Sequence, residues 1–211
     1  MPDALGLAFG AVGLAWGVVS DRIAARWPEH EDGANRQIDW RTAVVAVVGA
    51  VAFGVLPGRF GVGPDLALFG AYFVALVLLF ATDLDQRLLP DIVTIPLVPL
   101  AFLAAATGID PLVRGELIEA IGVAIVVPAL LFALARPFGE GAIGIGDLKL
   151  LVSVGLLAGL TRTIVGVVSG ALLGGAVVLV LLVTRRVSLH SYIPFGPFLI
   201  VGAMWGIVGP G

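Results

Sequence analysis

LALFGAYFVALVLLFAT is the stretch Leu66–Thr82, seventeen consecutive residues without a charged side chain. A helix needs about 20 apolar residues to cross the hydrocarbon core of a bilayer, with about 17 as a lower limit. Apolar and polar residues do not alternate along the stretch, which argues against a strand of a membrane β-barrel. It therefore predicts a transmembrane helix.

Similar apolar segments fill most of the remaining chain. The eight candidate spans are Ala4–Ser20, Trp40–Leu56, Leu66–Thr82, Ile92–Ala106, Leu117–Ala135, Leu148–Leu160, Ile164–Val183 and Tyr192–Val208. The fourth and sixth are short, so six or seven full crossings are the alternative. We predict an all-α polytopic membrane protein of about eight transmembrane helices, forming a single domain over residues 1–211. The stripe Gly166, Gly170 and Gly174 predicts close packing between two of these helices.

Composition supports this class. Hydrophobic residues make up 59% of the 211 residues, charged residues only 13%, and the mean hydropathy is +1.09. Soluble domains carry about 25% charged residues. The net charge of −3 does not indicate a nucleic-acid partner, and the absence of cysteine excludes thiol nucleophiles and thiolate zinc sites. The N-terminus lacks a basic flank and a small-residue cleavage site, so we expect its apolar segment to be retained as a helix.

The lysines and arginines indicate how the chain is oriented. Nine lie in or beside the odd-numbered connections between spans, and three lie in the even-numbered ones. Positive residues favour the cytoplasmic side. We therefore expect the odd connections to face the cytoplasm, including the polar loop 21–39, and the protein to reside in the plasma membrane. The run Glu29–Asp32 in that loop matches no common metal-ligand spacing, so neither a metal nor a cofactor is predicted.

Two acidic clusters fall on odd connections and therefore on the same face of the membrane. The first is TDLDQRLLPD, from Thr82 to Asp91, and the second is GIGDLKL, from Gly144 to Leu150. Ionisable groups at membrane edges are costly, which makes them candidates for function. Two carboxyl groups that meet in a shielded place can share one proton, so that one activates water while the other protonates a peptide carbonyl oxygen. Glycines beside the second cluster would let an extended substrate approach the backbone closely.

Structural interpretations of the same residues remain open at this point. Aspartates at helix ends commonly cap them, and Asp91 after Pro90 fits a cap or first-turn residue. Asp85 with Arg87 fits a surface ion pair. A transporter or channel with Asp83 and Asp147 lining a pathway is the alternative from another class, although the internal repeat expected of it is not seen.

Three ordered motifs resemble those of the type IV prepilin peptidases, membrane aspartyl proteases. The stretch Asp83–Asp91 resembles the family's Asp-x-Asp-x-x-x-Leu-Pro-Asp signature, and Gly144–Leu150 matches its Gly-x-Gly-Asp-x-Lys-Leu signature. The stretch Ile193–Leu199 is similar to a third family segment. The resemblance runs from the third span to the last.

The resemblance implies an endopeptidase that removes the basic leader of prepilins or pseudopilins at the cytoplasmic face, surrounded by membrane lipid. By this resemblance Asp83 and Asp147 are the catalytic pair. The supporting motif residues would be Asp85, Pro90, Asp91, Gly144, Gly146 and Lys149. A non-catalytic partner in pilus assembly is the remaining alternative, and the intact aspartates argue against it.

The N-terminal part departs from the family pattern. The residues around Ser20 and Trp40 resemble the flanks of the large cytoplasmic domain of the bifunctional enzymes, which also methylate the new N-terminus. Only the short loop 21–39 stands between these flanks, without the zinc-binding cysteine pairs. We therefore expect a short form that cleaves its substrate but does not methylate it.

Overall fold

The computed structural model describes residues 4–28, 36–138, 143–185 and 195–209. Within these ranges the regular structure is helical, as predicted. The helices are α1 Ala4–Ala24, α2 Trp40–Phe60, α3 Pro64–Gln86, α4 Asp91–Thr107, α5 Leu117–Ala135, α6 Ile145–Val183 and α7 Gly196–Val208, with a short 3-10 helix at Arg136–Phe138. The acidic run Glu29–Asp32 and the first residues of the third motif, Ile193 and Pro194, lie outside the described residues.

Five of these helices are long and apolar enough to cross a membrane: α1, α2, α3, α5 and α6. Helices α4 and α7 are apolar but shorter, with 17 and 13 residues. Helix α6 has 39 residues, which would be about 58 Å long if straight, well beyond the roughly 30 Å of a hydrocarbon core.

A backbone break divides α6. Gly159 has φ 69° and ψ −175°, a conformation that is essentially restricted to glycine. The break separates segment 145–158 from segment 160–183, which correspond to the predicted sixth and seventh spans. The sequence placed that boundary between Leu160 and Ile164, whereas the residues from 160 onward are helical.

Glycines bring pairs of antiparallel helices into backbone contact. A Cβ added to Gly13 of α1 would lie 2.2 Å from the carbonyl oxygen of Gly49 in α2. A Cβ added to Gly202 of α7 would lie 2.2 Å from the carbonyl oxygen of Gly166 in α6. Small residues permit this close approach, because helices in lipid associate through van der Waals packing rather than through the hydrophobic effect. The predicted stripe at positions 166, 170 and 174 does face α7 and is confirmed.

Helix α3 supplies more of the large, fully buried side chains than any other helix in the described part of the chain. Phe69, Tyr72, Phe73, Leu76 and Leu79 are fully buried in the main core. The buried Tyr72 hydroxyl hydrogen-bonds to the Ser153 hydroxyl of α6 at 2.7 Å, which joins the two helices at mid-depth. Because α3 and α6 run antiparallel, the end of α3 and the start of α6 lie at the same end of the bundle.

This arrangement predicts opposite labelling at the two ends of α3. Val62 precedes α3 and is 82% exposed, while Leu88 follows it and is 51% exposed. The chain has no native cysteine. In intact cells, an impermeant thiol reagent should label Val62→Cys at once and Leu88→Cys only after the membrane is permeabilised, because positive residues concentrate on the Leu88 side. Labelling of Leu88→Cys in intact cells would contradict the orientation.

Candidate active site

Asp83 lies in the last turn of α3 with its side chain between that helix and the start of α7. The residue is 5% exposed. Its carboxyl group packs directly on Gly196, the first residue of α7, where an added Cβ would lie 2.2 Å from Asp83 Oδ2. Among the described residues, Oδ2 has no hydrogen-bond partner. Buried carboxyl oxygens without a hydrogen-bond partner are uncommon in folded proteins, which makes Asp83 a candidate for function.

Asp147 lies in the first turn of α6 and is 8% exposed. Its Oδ2 accepts a hydrogen bond from the backbone N–H of Gly144 at 3.3 Å. The other oxygen, Oδ1, is buried without a partner in the part of the chain that the structure describes. The unpaired N–H groups at a helix start favour a carboxylate there. Oδ2 of Asp147 is therefore held by the start of its own helix, while Oδ1 is available to accept a hydrogen bond.

The two predicted clusters meet in the structure. An added Cβ on Gly146 would lie 2.8 Å from the Cβ of Leu89, so the α3–α4 connection rests against the start of α6. Lys149 Nζ bonds Asp91 Oδ1 at 2.6 Å across the same junction. Asp83, in the last turn of α3, and Asp147, in the first turn of α6, lie on either side of this junction. Elements distant in sequence thus bring both aspartates to one end of the bundle.

Pro90 and Asp91, two of the supporting motif residues, lie at the start of α4. Pro90 is the N-cap of α4, and its carbonyl oxygen accepts the backbone N–H of Thr94 at 3.0 Å. Asp91 occupies the first turn of α4, as one of the sequence interpretations expected, and its side chain is mainly exposed. An exposed ion pair such as Asp91–Lys149 contributes at most about 1 kcal/mol. The pair joins the starts of α4 and α6 but contributes little to stability.

Asp85 is held on the other side of α3. Residues two apart in a helix lie about 200° apart around its axis, so Asp83 and Asp85 face nearly opposite directions. Asp85 Oδ1 pairs with Arg36 Nε at 2.7 Å and with Arg41 Nη1 at 2.6 Å. Its side chain is only 2% exposed, so the expected surface position is wrong. The structure places Asp85 in contact with the α1–α2 connection.

A further buried carboxyl group lies at the opposite end of the bundle. Asp110, between α4 and α5, accepts the backbone N–H of Leu112 at 2.8 Å. Burial raises the pKa of Asp110 to about 6, and the negative charge of Asp65 adds to the rise against the lowering effect of that hydrogen bond. Asp65 begins α3 whereas Asp83 ends it, so Asp110 is remote from the paired aspartates.

Two contacts near the aspartates were not predicted from the sequence. Gly196, which contacts Asp83, lies in the third motif, but nothing in the sequence indicated that Arg36 would pair with Asp85. Within the described ranges, no group of three or more His, Asp or Glu side chains is placed to hold a metal ion.

Comparison with known proteins agrees with this geometry. A sequence model of the type IV leader peptidase family matches residues 70–179, which include both acidic clusters. The chain belongs to this family. No solved structure matches it significantly.

Curated relatives carry the name prepilin leader peptidase/N-methyltransferase. The protein of Burkholderia pseudomallei is 34% identical over 154 residues, which cover 73% of this chain and 50% of the relative. That of Dickeya chrysanthemi is 31% identical over 175 residues, covering 81% and 60%. That of Bacillus subtilis is 29% identical over 177 residues, covering 81% and 66%. The aligned part of this chain thus spans about half to two thirds of the length of these relatives.

The tight contact at Gly196 predicts a sensitive position. In Gly196→Ala the new methyl group would lie 2.2 Å from Asp83 Oδ2, so either the carboxyl group or α7 must move. Overpacking a close contact typically costs about 1–3 kcal/mol of stability. We therefore expect the thermal unfolding temperature of purified Gly196→Ala to fall below that of the wild type. Gly175→Ala is the matched control, because a Cβ there meets no atom within 4 Å. Equal unfolding temperatures for both variants would contradict the contact.

Proposed function

We propose that this chain is a membrane aspartyl endopeptidase that removes the basic leader of prepilin-like proteins at the cytoplasmic face of the plasma membrane. The observation that carries the proposal is the placement of Asp83 and Asp147 at the same end of the bundle. Both are buried, and each has a carboxyl oxygen without a partner among the described residues. Membership of the leader peptidase family supports the same reaction.

The chemistry follows from two carboxyl groups in different protonation states. The ionised group takes a proton from a water molecule, whose oxygen attacks the carbonyl carbon of the scissile peptide bond. The protonated group donates its proton to the carbonyl oxygen, giving a tetrahedral intermediate. When the C–N bond breaks, a proton passes to the leaving amine, and the leader is released with a new carboxyl terminus. Repulsion between the two carboxylates favours the singly protonated pair that this cycle needs.

The proposed substrate is a prepilin or pseudopilin with a basic leader in the cytoplasm and an apolar helix in the bilayer. Such a chain presents its cleavage site at the membrane edge, where α3 ends and α6 and α7 begin. The proposed architecture is one membrane peptidase domain with eight crossings, in which the two parts of α6 count separately and the shorter α4 and α7 also cross. The α1–α2 connection, predicted as loop 21–39 although residues 21–24 belong to α1, replaces the large cytoplasmic domain of the bifunctional enzymes.

Substitution of either aspartate tests the reaction directly. Asn has nearly the size of Asp but cannot transfer the proton. Asp83→Asn and Asp147→Asn should insert and fold normally yet lose leader cleavage by about 100- to 10,000-fold, the usual contribution of positioned proton transfer. The double variant should be little worse than either single one, because the two groups act as a unit. Leader removal from a co-expressed prepilin, followed by the shift in mass on a gel, measures the effect.

Asp91→Asn is the matched control for this test. It removes a carboxylate from the same connection but disrupts only the pair with Lys149, so most of the activity should remain. Near wild-type processing by Asp147→Asn would overturn the assignment. If the protein were a transporter, neither the wild type nor the Asn variants would remove the leader.

The length of loop 21–39 predicts that cleavage proceeds without methylation. Nineteen residues without cysteine cannot supply the zinc-binding cysteine pairs of the bifunctional enzymes. The mature N-terminus of a pilin processed by this protein alone should therefore be an unmodified amine by mass spectrometry. A gain of one methyl group that depends on this protein would refute the expectation.

A further inference from the structure

Arg36 is the point at which the α1–α2 connection meets three carboxylates from three different parts of the chain. Its guanidinium pairs with Asp39, the N-cap of α2, through Nη1 at 2.6 Å and with Asp85 of α3 through Nε at 2.7 Å. Its Nη2 also pairs with Asp21, near the end of α1. The five N–H groups of an arginine allow such multiple pairing, whereas the compact ammonium of a lysine does not span it.

Two of the three carboxylates joined by Arg36, those of Asp21 and Asp85, are unusually deep for charged groups. The side chain of Asp21 is 1% exposed, and it also accepts the Thr42 hydroxyl at 2.6 Å. Asp85 is similarly buried and also pairs with Arg41. Arg22 also pairs with Asp21, so loss of Arg36 would leave each buried carboxylate with one arginine but would break the link between them. The positions of Asp21 and Asp85 are therefore coupled through Arg36.

The same side of α3 has further attachments beside Asp85. Gln86 Nε2 donates to the carbonyl oxygens of Ala24 at 3.0 Å and Pro28 at 2.8 Å. Arg87 is the C-cap of α3, and its backbone N–H donates to the carbonyl oxygen of Asp83 at 2.9 Å. The last turn of α3 is thus attached to the α1–α2 connection on one face. On its other face the Asp83 carboxyl group packs against α7.

We propose that Arg36 is a positioning residue for the aspartyl pair. By binding Asp21, Asp39 and Asp85 together, it fixes the last turn of α3 and so directs the Asp83 carboxyl group toward Asp147. Arg36 does not touch the substrate in this role, and it acts through Asp85. The inference rests on the proposed peptidase function.

Kinetics of the purified protein with a prepilin test this role. In Arg36→Gln, kcat per folded enzyme should fall about 10- to 100-fold while KM stays within about twofold, because orientation of a reacting group is lost but the substrate contacts are not. Asp85→Asn should show the same pattern. The double variant should be no slower than the slower single one, since both changes disrupt a single contact network. Arg36→Lys keeps the charge without the forked geometry, and its kcat should lie between those of wild type and Arg36→Gln.

Arg26→Gln is the control, because Arg26 is an exposed arginine close to the same connection and should leave kcat unchanged. Folded protein is quantified by gel filtration and thermal unfolding, so that a purely structural effect appears as less folded protein rather than as a lower kcat. If Arg36→Gln cannot be recovered folded, Arg36→Lys and Asp85→Asn provide the same comparison.

Several results would overturn the role of Arg36. These are a kcat within twofold of wild type in the substituted enzymes, losses that multiply in the double variant, a change confined to KM, or a lysine variant no faster than the glutamine variant. Asp147→Asn is measured alongside. If it is inactive while Arg36→Gln retains full kcat, only the positioning role fails. If Asp147→Asn is itself active, the peptidase function fails.

Discussion

The burial of two carboxyl groups at the ends of membrane helices is the constraint on which the rest of this structure depends. An unpaired buried carboxyl oxygen costs free energy, and an unpaired buried charge costs far more. Asp83 and Asp147 each retain such an oxygen. The fold must therefore offset this cost through packing elsewhere, to which the fully buried aromatic and aliphatic residues of α3 contribute together with those of α2, α6 and α7. Unfavourable groups that persist in a stable fold are a common feature of active sites.

The bundle brings the aspartates together through helix ends rather than through helix faces. Asp83 lies in the last turn of α3 and Asp147 in the first turn of α6. Gly196 is the first residue of α7 and contacts the Asp83 carboxyl group. Glycine at 146 and 196 permits these ends to approach closer than any side chain would allow. The two aspartates that the first cluster contributes from α3 lie on opposite faces of that helix. Asp83 faces the neighbouring helix starts, while Asp85 faces the arginines of the α1–α2 connection.

Much of the fold was predictable because hydrophobic length alone identifies membrane helices. The exact ends were harder. The break in α6 depends on the backbone conformation of Gly159, one of many glycines in apolar segments, and nothing in the local sequence distinguishes it. Helix starts at Trp40 and Leu117 agreed with the sequence, since Asp39 and Glu116 precede apolar runs there.

The site was predictable only in part, for a related reason. Motif order indicated which aspartates belong together, and the structure places Asp83 and Asp147 at helix ends on one side of the bundle. Spacing along the chain could not indicate that Asp85 would be buried against Arg36, because that contact joins residues from separate elements and follows no periodicity. Nor could it indicate that Gly196 would touch Asp83.

The central claim is that the two carboxyl groups divide the acid and base roles between them. The most direct measurement is the pH dependence of single-turnover cleavage of a prepilin by the purified wild-type protein. A shared proton predicts a bell-shaped profile, which falls on the acid side as the base is protonated and on the alkaline side as the acid ionises. A rate that rises through a single ionisation to an alkaline plateau would contradict the account.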